Sequence, residues 1–179
     1  AYQIILLALY RLVSRTGILQ TRLGTVCFQA CYNFYKELWE ARSIRQLQNF
    51  ARPGTTIIDV GANTGFFTRK FSEWVGRDGQ IIAIEPEQNN FDTLKAALTR
   101  KNELSNVDFI RAAVSDVEGS VNLVINPDHP GDHRLGEKGQ PVDAITLDGL
   151  MENQITKEVS LIKVDVQGAE YLVINSALN

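Results

Sequence analysis

Long apolar runs, cysteine, histidine and excess charge are all scarce in this 179-residue sequence. The apolar stretch over residues 2–13, with its run from Ile4 to Tyr10, falls far short of the roughly 20 residues a helix needs to span a bilayer. It shows neither the basic leader nor the small-residue cleavage site of a secretory signal. The first residue is not Met, which suggests that the natural N-terminus lies upstream. Arg11, Arg15 and Arg22 beside the run leave weak membrane-surface contact by residues 2–13 open. The plainer reading is a helix packed on the domain or on a second copy, as in a homo-oligomer. Only two cysteines occur, Cys27 and Cys31, four apart and without further zinc ligands nearby. They read as small apolar residues on one helix face, reduced in a cytoplasmic protein. The net charge of −3 argues against a nucleic-acid-binding surface.

Both histidines, His129 and His133, sit in one polar loop with Asp128 and Asp132. Pro130-Gly131 breaks any helix there, so the i, i+4 ligand geometry is not expected, and neither is a metal. The loop reads as a plain surface segment or as a lid that brings His133 and Arg134 to a substrate. The dinucleotide fingerprint G-x-G-x-x-G is also missing, which weighs against a nucleotide-dependent reductase.

What is present is organised around Thr56 to Thr68. The β-branched run Ile57 to Val60 reads as a strand buried on both faces of a parallel sheet. It meets Asp59 and Gly61, and from Gly65 a helical pattern follows, with Phe66, Phe67, Phe71 and Trp74 as its apolar positions. Strand, glycine turn and helix set a ligand against a helix N-terminus. Gly61 permits a sharp turn or a close approach to a ligand, and Gly65 permits tight packing of the helix on the sheet.

Upstream, Cys27, Cys31, Phe34, Leu38 and Ala41 mark one face of a helix over 20–41. Ser43 can cap a second helix that Pro53-Gly54 ends. Downstream, Gly76 to Gly79 is a turn, and Gln80 to Ile84 is a second buried strand ending at Glu85-Pro86. A carboxylate at that strand tip, about 20 residues past Gly65, suits the two hydroxyls of a ribose. A helix is expected over Phe91 to Leu98, and a third strand over Val107 to Val114. The small residues near the end of that strand let a flat ring approach, or simply pack closely. Ser120 to Asn126 and Val142 to Leu147 read as an antiparallel pair. Ser160 to Glu170 is a strand, a turn and the start of a helix. Lys163 within that strand needs a partner, and a position beside the first strand offers Asp59, Asp165 or Glu170.

Four stretches in this order resemble the FkbM family of methyltransferases: Ile58 to Gly65, Ile84-Glu85-Pro86, Thr146-Leu147-Asp148 and Ile162 to Glu170. The match covers roughly residues 50–179. One position departs from the family pattern, Gln167 where a glutamate is usual. The resemblance implies an α/β, Rossmann-like class I methyltransferase sheet with flanking helices and S-adenosylmethionine as cofactor. It divides the chain into an N-terminal helical segment, residues 1–52, and a cofactor-binding domain, residues 53–179. It also implies O-methylation of a hydroxyl on a sugar, glycan or secondary-metabolite acceptor. Asp59, Gly61, Asn63 and Gly65 would surround the methionine end of the cofactor, Glu85 would hold the ribose, and Ala113 would border the adenine. Asp165 would lie near the transferred methyl, and Asp165, Glu170 and His133 are the candidate bases, in that order. Because the class I sheet has further strands, the C-terminal ones are expected to be missing from this sequence. The alternatives are an N-methyltransferase and a non-catalytic module that keeps the cofactor fold.

Overall fold

The computed structural model describes residue 21 and residues 44–99, 105–126 and 133–177. The expected helix over 2–13, most of that over 20–41 with both cysteines, and residues 127–132 of the histidine loop lie outside them. The chain divides into two compact units, Ala1–Gln46 and Leu47–Asn179. Residues 44–48 are helical. No helix among the described residues is long and apolar enough to cross a membrane.

The second unit runs β1 Thr56–Val60, α1 Phe66–Val75, β2 Gln80–Ile84, α2 Gln88–Thr99, β3 Val107–Ile110, β4 Ala113–Val114, β5 Gly119–Val124, β6 Arg134–Leu135, β7 Gln140–Ile145, α3 Leu147–Gln154, β8 Val159–Val164 and α4 Glu170–Asn175. One sheet has the order β3-β2-β1-β8 and is wholly parallel. The apolar run of β1 dictates its central place, because all five of its residues are buried. Ile58 sits between Ile82 of β2 and Ile162 of β8. Each fully buried isoleucine of these strands contributes about 1.5–3 kcal/mol. As expected, β8 lies beside β1, and among the described residues it forms the sheet's edge, with Ile162 exposed.

Helix α1 buries Phe67 and Phe71 of its expected apolar positions, together with Val75, while Phe66 and Trp74 are half-buried. Helix α2 begins three residues before the expected Phe91. The carboxylate of Glu87 accepts the Asn90 N–H at 2.8 Å and so caps that first turn, a role glutamate seldom takes.

The expected strand over Val107 to Val114 is in fact two. β3 ends at Ile110, and β4 crosses to a second sheet of order β4-β7-β5-β6. Between them Arg111 is exposed and donates to the Gln88 side chain on α2. The chain leaves the parallel sheet at this exposed arginine. The expected antiparallel pair is present as β5 and β7.

Candidate active site

The carboxyl ends of β1, β2 and β8 meet at the turn after Val60. Gly61 and Ala62 both donate to the Ile84 carbonyl at 3.0 Å, which ties the turn to β2. The Asp165 N–H donates to the Val60 carbonyl at 3.1 Å, which ties it to β8. Gly61 has φ +74°, and a Cβ there would lie 2.1 Å from the Asp165 carbonyl oxygen, so no other residue fits. Asn63, at φ 52°, is also left-handed, and its side chain accepts the Thr64 N–H at 2.7 Å. Gly65 caps α1 at φ 88°. A Cβ on it would meet Leu94 at 2.7 Å, so its close packing is against α2 and not the sheet.

Asp59 is fully buried. Its Oδ2 accepts the Thr68 hydroxyl at 2.7 Å, and its Oδ1 lies 3.1 Å from the Lys163 ammonium. That ammonium is aimed at the Gly61 carbonyl, 2.8 Å away, so Oδ1 has charge contact but no aligned hydrogen bond. Lys163 also stands 3.8 Å from Asp165 Oδ2 and 5.6 Å from the centre of the Phe67 ring. The partner expected for Lys163 is therefore Asp59, with Asp165 at longer range. Within this network the Asp59 side chain is fully buried between Thr68 and Lys163.

Glu85 is buried at the tip of β2. Its Oε2 accepts the Asn63 N–H at 2.8 Å, and its Oε1 accepts the Glu87 N–H at 3.0 Å. Burial pushes its carboxyl pKa up; the N–H groups of Glu87 and Asn63 and the Asn90 side chain oppose that. These three donors leave part of the carboxylate's acceptor capacity unused.

Past β8, the Gln167 side-chain amide donates to Asp165 Oδ1 at 3.1 Å, with Gln167 itself left-handed at φ 54°. Glu170 Oε1 accepts the Gly168 N–H at 3.1 Å, and chiefly that bond holds its carboxyl below the usual range. His133 lies on the second sheet side, where its Nδ1 accepts the Asn126 N–H at 3.1 Å. Ala113 is buried in β4, opposite Ala144 of β7. Contacts thus join Asp59, Gly61, Asn63, Glu85 and Asp165 around one turn, with Gly65 closing it at the head of α1. Glu170 anchors the neighbouring loop, Ala113 belongs to the second sheet, and His133 lies just before β6.

A cleft of about 390 Å³ lies where the two sheets meet, lined by Pro86, Gln88 and Arg111 on one side and Ser120, Gln140 and Asp143 among others on the other. Sequence patterns do not single out Gln88, Arg111 or Thr68. A lone arginine within an expected strand is the one available signal. Thr146, part of the third matching stretch, serves the fold, since its hydroxyl caps α3 by accepting the Gly149 N–H at 3.0 Å.

The profile of the methyltransferase FkbM domain matches residues 59–179, about two thirds of the chain. The chain belongs to the FkbM methyltransferase family. The family is one of class I, S-adenosylmethionine-dependent methyltransferases, and the parallel sheet with its glycine turn is the corresponding fold. Among curated proteins, the chain is similar to a ubiquinone/menaquinone biosynthesis C-methyltransferase of Marinomonas sp. (strain MWYL1), 31% identical over 42% of this chain and 29% of that one. It is also similar to protein-L-isoaspartate O-methyltransferase 1 of Arabidopsis thaliana, 30% identical over 59% of this chain and 40% of that one. A solved FkbM methyltransferase of Methylobacillus flagellatus KT matches over 75% of this chain and 36% of its own, at 18% identity and a TM-score of 0.47. The matched stretches span well under half the length of these proteins.

Proposed function

We propose that this FkbM chain forms the cofactor-binding core of an enzyme that methylates a hydroxyl oxygen on a sugar, glycan or secondary-metabolite acceptor. The observation that carries the reading is the Gly61 turn, gripped by β2 and β8 beside the buried Glu85 carboxylate. A space kept clear by a glycine and a carboxylate with spare acceptor capacity suit S-adenosylmethionine, a ligand with a small charged end and a ribose.

In this reading Gly61, Asn63 and Gly65 surround the methionine end, and Asp59 supports them from behind through Lys163. Glu85 takes the ribose hydroxyls. The adenine lies toward Pro86 and Arg111, with Ala113 beneath. S-adenosylmethionine supplies a methyl group already activated by its sulfonium, so the protein's main work is alignment. An alcohol must lose its proton as the new bond forms, and a base of suitable position assists. Asp165 is the strongest candidate, because 48% of its side chain is exposed while Gln167 and Lys163 orient its two oxygens. Glu170 anchors the loop behind it. His133, whose Nδ1 accepts the Asn126 N–H, is the third candidate.

Isothermal titration with S-adenosylmethionine, S-adenosylhomocysteine and NADH tests the reading. The first two should bind and NADH should not. Glu85→Ala should weaken both about tenfold or more, as loss of charge-assisted hydrogen bonds does. Binding of NADH alone, or unchanged affinity in Glu85→Ala, would overturn it.

A further inference from the structure

We propose that Lys163 is a positioning residue for the cofactor turn: it fixes the Gly61 carbonyl from β8, and Asp59 fixes it in turn. The inference rests on the reading of that turn as the cofactor's seat, and it assigns the turn's geometry to a residue on the neighbouring strand.

Gly61 is held on three sides. Its N–H goes to Ile84 of β2, its Cα packs on the Asp165 carbonyl, and its own carbonyl accepts from Lys163 at 2.8 Å. The lysine makes the one charged contact of the three. Its side chain is 11% exposed, and an ammonium so placed loses most of its hydration. It donates one hydrogen bond, to Gly61 O at 2.8 Å, and has charge contact with Asp59 Oδ1 at 3.1 Å and, at longer range, with Asp165 Oδ2 at 3.8 Å. The Phe67 ring lies beside it.

Stability alone is a poor explanation for this arrangement. Replacing a buried ion pair by apolar groups of similar size is often neutral or stabilising. Neighbouring positions of β8 are apolar, so a methionine could occupy the same space. What an apolar side chain cannot do is pull on the Gly61 carbonyl. With φ at +74° and a backbone oxygen 2.1 Å from where a Cβ would stand, Gly61 has little room in which to settle unaided. Lys163 holds the carbonyl end of the Gly61–Ala62 peptide while Ile84 holds its N–H end, and the next peptide presents the Asn63 N–H that reaches Glu85. The same ammonium lies within reach of Asp165. One charge thus ties the cofactor side of the turn to the transfer side.

The test separates stability from affinity. Lys163→Met leaves Asp59 buried without its cation, so its Tm should fall. The double variant Asp59→Asn/Lys163→Met removes both charges, keeps an acceptor for Thr68, and should recover Tm toward wild type. Affinity for S-adenosylhomocysteine, measured by isothermal titration, should be about tenfold weaker in the double variant despite that recovery, the size of one charged hydrogen bond. Recovery of both Tm and affinity in the double variant would show that the lysine serves folding only and would overturn the proposal. Wild-type protein that binds neither S-adenosylmethionine nor S-adenosylhomocysteine would instead sink the reading of the turn, and the proposal with it.

Discussion

The two sheets of the Leu47–Asn179 unit carry different loads. In the parallel sheet every residue of β1 is buried, and four of the five in β2. In the second sheet β5 and β7 each bury a single residue, Leu123 and Ala144. The centre of the first sheet, β1 with β2, is enclosed, so any charge placed in it must find a partner. Asp59 and Lys163 meet that condition across β1 and β8. The second sheet has a wet face, so Asp143 and Asn122 can point to water at little cost. The densest burial therefore lies in β1 and β2, and the polar cleft opens where the second sheet joins the first.

The largest effect should come from Gly61→Ala, which forces a methyl against the Asp165 carbonyl where β1 and β8 are joined. Loss of about 4 kcal/mol or more is expected, and chemical denaturation should show it as a lowered midpoint or no folded baseline. A tolerated alanine would mean that the two strand ends can separate, and the enclosed character of the sheet would be in doubt.

A matched pair of truncations measures the contrast directly. Ile58→Ala, at 0% exposure in β1, should cost about 2–5 kcal/mol. Val124→Ala, 42% exposed in β5, should stay within about 0.5 kcal/mol. Equal costs would erase the distinction between the sheets.

The smallest effect is one of pH, and it sets a buried carboxyl against an outlying one. Glu85 is raised by burial, so its contribution to stability is fully present below its ordinary pKa of 4.5 and is lost as pH rises through its folded value. Wild type should therefore gain on Glu85→Gln as pH falls from 7 toward 4.5. Glu170 is lowered by the Gly168 N–H, so its contribution is present above 4.5 and is lost as pH falls through its folded value. Wild type should lose ground to Glu170→Gln below 4.5. Urea midpoints measured across this range check both signs, and a shared sign would contradict the environments described for the two groups.

The enclosed sheet is also the part that is legible in the sequence. Continuous apolar strands with a glycine turn between them announce themselves, and the need of Lys163 for a partner follows from its place in such a run. The second sheet is less legible. The break at Arg111 lies inside a plausible strand, and only the exit of the chain toward β7 explains it. The start of α2 is hidden because its cap is a glutamate. The site is legible in part. Asp59, Gly61, Asn63 and Glu85 do converge, but that Asp59 is tied to Thr68 is something spacing along a strand cannot reveal. The left-handed backbone at Gln167 gives no signal in an ordinary polar residue.

The joining of β1 to β8 has a consequence for how the protein is born. Lys163 and Gly61 are 102 positions apart in the chain. At a synthesis rate of about 5–20 residues per second, roughly 5–20 s separate the making of the turn from the making of the lysine that holds it. Throughout that interval Asp59 has no cation, and β1 shows an open apolar edge to solvent or to a chaperone. The nascent chain can pair β1 with β2 early, yet its ligand seat closes only when β8 has left the ribosome.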